Sequence, residues 1–201
     1  MHRTSLETAA AKYSYLRGLL FIPAGLLMIL SALGNWQVGP LSHAWVFPVA
    51  ALAIGAPCLP IARYYNEHYG RLSPSTRQRA RGAAGVALAL PVVVGGSLLM
   101  RSRADWSLDL PVNPIAVTFA VVMLLSYAIG VGLQRHHAII WGALLVAGAV
   151  PLWTGSDPSN IGLVLAGVAV MVSGVLDHRL FVRTFGSPRG LDLEESDVGA
   201  R

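Results

Sequence analysis

The residues able to do chemistry gather at three points of the chain. Glu67 and His68 follow one apolar run, Arg135, His136 and His137 separate two others, and Asp177 and His178 end the last. Neutral imidazole and carboxylate are ligands that zinc and similar ions accept. Histidine also titrates near neutrality, so the same residues suit a pH-responsive cluster. A plainer reading is that amphipathic residues decorate a membrane surface. No H-x-x-x-H or E-x-x-H spacing occurs, each group has basic neighbours, and adjacent residues such as His136 and His137 do not share a helical face. Decoration is therefore the expectation. No catalytic residue, cofactor or assigned metal ligand is expected. Glu67, His68, His136, His137, Asp177 and His178 remain as the one candidate cluster. Asp105 and Asp109 flank Trp106 beside Arg101 and Arg103, which reads as local Arg–Asp pairing. Arg63 and Glu67 have the i, i+4 spacing of a local pair. P-loop, G-x-S-x-G, H-E-x-x-H and dinucleotide patterns do not occur.

The elements that must position these residues are membrane helices. Hydrophobic residues make up 54% and charged residues 12% of the 201, and mean hydropathy is +0.58. A soluble domain carries about 25% charged residues, so this chain lacks the polar surface to cover a globule in water. The single cysteine, Cys58, rules out an internal disulfide framework. Six apolar runs, near 17–35, 44–63, 82–100, 113–133, 138–153 and 160–177, match the length of about 20 residues that a span needs. The expected fold is all-α, a polytopic membrane bundle of six transmembrane helices over residues 1–186. A short helix at 4–16, with Thr4 and Glu7 at capping-box spacing, precedes it. An acidic tail at 187–201, with Asp192, Glu194, Glu195 and Asp197, reads as disordered.

The charge pattern sets the expected orientation. Of the 15 Lys and Arg residues, all but Arg101 and Arg103 fall on the side of the two termini. The positive-inside rule puts both termini in the cytoplasm, in a bacterial-type inner membrane. Trp36, Trp45, Trp106 and Trp153 then lie at the outer boundary, and Tyr13, Tyr15, Tyr64, Tyr65 and Tyr69 at the inner one, as aromatic belts do. The net charge of +5 belongs to this topology and not to a nucleic-acid partner.

Pro23, Pro57, Pro60 and Pro91 are expected to bend or break their helices. Pairs of small residues four apart (Ala51 and Gly55, Gly85 and Ala89, Ser126 and Gly130, Ala143 and Ala147, Gly162 and Ala166) are expected to let backbones approach. Essentially no ionisable residue falls in mid-span, where the polar residues are Ser31, Ser97, Thr118, Ser126, Tyr127 and Ser173. That argues against an ion-coupled transporter working alone.

The segments RYYNEHYGRL and LDHRLFVRTFG resemble the span endings of small polytopic bacterial integral membrane proteins of unknown function. The resemblance implies no activity. The expected role is a non-enzymatic accessory or partner subunit of a transport or signalling assembly. Its partners would be the lipid bilayer and another membrane protein or further copies of the chain. A small stand-alone transporter, and a membrane enzyme or metal or pH sensor using the inner-face histidines, are the alternatives.

Overall fold

The computed structural model describes residues 17–43, 45–69, 112–130, 132–150 and 158–185, with scattered helical residues between 80 and 95. The expected helix at 4–16, most of the third span, Asp105, Asp109, Trp106, Trp153 and the acidic tail lie outside the described residues. Among those described there is helix and no strand. After a 3-10 turn at Gly18–Leu20 comes α1 (Phe21–Asn35), and after a second at Gly39–Ser42 come α2 (Val46–Gly55) and α3 (Cys58–Tyr69). The chain continues with α4 (Pro114–Gly130), α5 (Arg135–Ala149) and α6 (Pro158–Phe185). Three stretches are long and apolar enough to cross a membrane: Gly18–Asn35, Val46–Tyr69 and Ser159–Thr184. Pro114–Ile129 is apolar but shorter. Leu52, Leu59 and Ile139 are each at least 70% exposed. Water would penalise such a surface, whereas lipid is its natural solvent.

Proline explains why α2 and α3 are separate. Pro57 and Pro60 supply no N–H, and the chain turns at Ala56 and Pro57. The Ala56 carbonyl, which residue 60 would have used, accepts from Leu59 N at 3.3 Å instead. Pro23 does not break α1. It falls in the first turn, where a helix has no internal use for the N–H.

Helix α1 packs most closely on α6, and glycine is the reason. A Cβ on Gly25 would come 2.5 Å from the Gly167 carbonyl oxygen, and one on Gly174 would come 2.5 Å from that of Gly18. Gly18 faces Gly174 and Gly25 faces Gly167, so the two helices run antiparallel. Near the far end Asn35 Nδ2 donates to Asn160 Oδ1 at 2.7 Å. The contact repeats every seven residues, not every four. Of the expected four-residue pairs, Gly162 is buried against Asn113, while Gly55 has no neighbour within 4 Å.

Helices α4, α5 and α6 form the remaining core around Ala116, Ala120, Tyr127, Trp141, Leu144, Ala166 and Val170. Asn113 organises one end. Its side chain caps α4 by accepting from Ala116 N at 3.1 Å, and its N–H donates to the Gly148 carbonyl at the end of α5 at 2.7 Å. At the other end Gly132, with φ +89, donates to the Tyr127 carbonyl at 3.0 Å and closes α4. The positive φ is one that glycine adopts readily, and it turns the chain tightly into α5. Thus α4 and α6 run parallel and α5 runs against both.

Two expected boundaries move. α5 begins at Arg135 and not near 138, so His136 and His137 stand in its first turn. α6 continues to Phe185, so Asp177 and His178 lie within the helix and not at its end. Asp177 is therefore an ionisable group inside the apolar stretch Ser159–Thr184. The expected lack of ionisable residues concerned mid-span, and Asp177 stands toward the C-terminal end of this stretch. Tyr65, expected as an interface aromatic, is instead fully buried.

A buried histidine–aspartate centre

Three helical stripes converge on Asp177. On α6, Ala166, Val170, Ser173 and Asp177 follow one another at three- and four-residue steps. On α4 the stripe is Ala116, Ala120 and Tyr127, and on α5 it is His137, Trp141, Leu144 and Gly148. Each stripe is small at the end near Asn113 and carries larger or polar side chains toward Asp177. The helices therefore sit close at one end and enclose side chains at the other.

Asp177 is 0% exposed. Its Oδ1 lies 2.8 Å from His137 Nε2 and 2.9 Å from His136 Nε2. Its Oδ2 accepts from the Tyr127 hydroxyl at 3.0 Å, and that hydroxyl is 3.5 Å from Ser173 Oγ. Tyr127 stacks on the His137 ring with centroids 3.6 Å apart, and the two histidine rings are 4.0 Å apart at 53°.

Adjacent histidines both reach this oxygen, contrary to the argument from helical faces. That argument concerns Cβ directions. Imidazole is long enough for Nε2 of His136 to swing to the same point as Nε2 of the buried His137. For both rings to donate to Oδ1, both must carry hydrogen on Nε2. In neutral His137 this leaves Nδ1 as a bare acceptor, and Nδ1 is buried without a hydrogen-bond partner among the described residues. The same holds for Nε1 of Trp141, one turn further along α5.

The other candidate residues lie elsewhere. His178 turns away from the centre, and its Nδ1 is 2.8 Å from the Tyr65 hydroxyl. Leu19 N donates to the same hydroxyl at 3.3 Å. Arg17 donates to Asn66 Oδ1 at 3.1 Å and lies over the Tyr65 ring. Phe181 meets Tyr65 edge to face at 5.3 Å. His68 is exposed and bonded within its own helix to the Tyr64 carbonyl at 3.0 Å, and Glu67 is exposed. Among the described residues no ion pair joins Arg63 to Glu67. Of the six candidates, the structure brings together His136, His137 and Asp177.

Sequence reasoning named Tyr127 and Ser173 only as mid-span polar residues. The available signal was the i, i+4 spacing of Ser173 and Asp177, which places both on one face of α6. Asn113, Asn35 and Asn160 carried no comparable signal, because each joins residues distant in sequence. No family model, curated protein or solved structure matches this chain.

Proposed function

We propose that the protein is a six-span, non-enzymatic integral membrane protein with both termini in the cytoplasm, working as a subunit of a larger membrane assembly. The observation that carries the subunit reading is the stretch Val46–Tyr69. It is apolar and 24 residues long, and none of its most apolar window is buried. Among the described residues it is held at its two ends. Phe47 packs on Gly34 near the start, and Tyr65 contacts Leu19 and His178 near the finish. A helix tied at its ends, with no buried residue in its most apolar window, fits a second membrane protein seated against it.

The six-span reading is supported by the helix directions. Spans 1 and 6 are antiparallel, 4 and 6 parallel, and 5 opposed to both, as six successive crossings require. Purification in mild detergent from the native host, with co-purifying proteins identified by mass spectrometry, is the experiment. A stoichiometric membrane partner, crosslinked to a photoreactive residue placed at Leu52, is the expected result. Recovery of the chain alone, with lipid as the only crosslinked species, would remove the subunit reading.

A further inference from the structure

We infer that His136, His137 and Asp177 form a binding site for a divalent first-row transition-metal ion, with zinc as the representative. The inference goes beyond the subunit reading and does not depend on it. It begins with charge. Asp177 is fully buried, and its hydrogen-bond partners are Tyr127, His136 and His137. Among the described residues no Arg or Lys joins them. A buried carboxylate needs either a cationic partner or a metal. An ion held between the carboxylate and the two histidines would supply that charge.

The geometry favours an ion. One ring nitrogen of each histidine and one carboxylate oxygen lie within 4.8 Å of one another. Two imidazoles and a carboxylate are a donor set suited to zinc and its neighbours. Three protein ligands leave a fourth position open, the pattern of zinc sites that hold water or a small ligand. His136 is partly exposed, at 23%, and provides the way in. The second carboxylate oxygen is held by Tyr127 at 3.0 Å, which fixes the plane of the carboxylate and leaves Oδ1 free to ligate.

Binding opens the two contacts to Asp177. Ligand atoms of a tetrahedral zinc ion stand about 3.3 Å apart, given bonds of about 2.0–2.1 Å. The present contacts of 2.8 and 2.9 Å must open by about half an ångström. Each neutral ring then carries its hydrogen on Nδ1 in place of Nε2. Nδ1 of His137 has no partner among the described residues, so no existing bond is broken there. The resulting N–H is itself unsatisfied. The site is therefore expected to bind less tightly than one whose histidines are backed by carboxylates.

The test uses the full chain in detergent, purified on a tag without histidine. Equilibrium dialysis against zinc, read by elemental mass spectrometry, is expected to give one zinc per chain. Cobalt(II) is expected to give visible absorption bands that zinc abolishes. His136→Gln should weaken zinc binding tenfold or more, and Tyr127→Phe should weaken it by about tenfold through the released carboxylate. His68→Gln should leave binding unchanged. Asp177→Asn is informative only if it folds, and the partly exposed His136 is the variant that decides. Absence of stoichiometric zinc in the native protein would overturn the site. So would binding that survives His136→Gln, or that is lost with His68→Gln.

Discussion

At the scale of residues, two adjacent positions of α6 serve two separate networks. Asp177 faces α4 and α5, and His178 faces Tyr65 of α3. Successive helical positions point about 100° apart, so one polar dipeptide ties α6 to both sides of the bundle. The Tyr65 hydroxyl accepts from Leu19 N and lies within bonding distance of His178 Nδ1. Tyr65→Phe keeps the ring packing on Phe181 and leaves two polar groups short of a partner. It should cost about 1–2 kcal/mol, read as a lower thermal midpoint in detergent. An unchanged midpoint would show that water replaces the hydroxyl there. The sequence identified the chemically able residue types at this end of the chain. It could not pair them, because Asp177 and its histidines lie some forty positions apart, and only packing brings them together.

At the scale of elements, the contact between α1 and α6 is set by glycine. Lipid tails are as apolar as leucine side chains, so burial drives helices together weakly in a membrane. Close backbone approach, and the dispersion contacts it allows, must carry the association. Gly25→Ala and Gly167→Ala place a methyl 2.5 and 2.7 Å from carbonyl oxygens of the opposite backbone. Each should destabilise the fold by about 1–3 kcal/mol. Gly142→Ala, with nothing within 4 Å, should be neutral or stabilise by about 0.5–1 kcal/mol. Comparing the three variants in a detergent unfolding series checks this, and equal effects would count against glycine-set packing. A search for small residues four apart did not reveal the pairing, because these glycines recur at seven. Two helical turns return to nearly the same face, so a seven-residue step serves as well as a four-residue one.

At the scale of the whole molecule, both networks lie at one end of the bundle. Gly18, Tyr65, Arg135, His136, His137 and Asp177 share that end. Asn35, Asn113 and Asn160 share the other. The proposed topology puts the histidine end at the cytoplasmic face. Single cysteines at Ser5, Ser42 and Ser187, in a Cys58→Ala background, test it directly. Ser5→Cys and Ser187→Cys should react with an impermeant thiol reagent only after the cells are opened. Ser42→Cys should react in intact cells. The reverse pattern would invert the bundle, and labelling of Ser5→Cys and Ser187→Cys from opposite sides would require an odd number of spans.

Composition and the spacing of apolar runs by themselves determined that the chain is helical and belongs in a membrane. Those properties depend on how much apolar surface each segment carries, and a segment's own residues state that. Boundaries were less legible. The first turn of α5 is polar, and α6 runs on through the charged positions Asp177, Arg179 and Arg183; such residues interrupt the hydropathy signal, while backbone hydrogen bonding continues past them. Tertiary structure alone decided that Asp177 would be buried between two histidines, that Tyr65 would be core and not surface, and that Gly25 would meet Gly167. Each of these depends on which helix lies beside which. Adjacency is a property of the packed bundle, and no single segment encodes it.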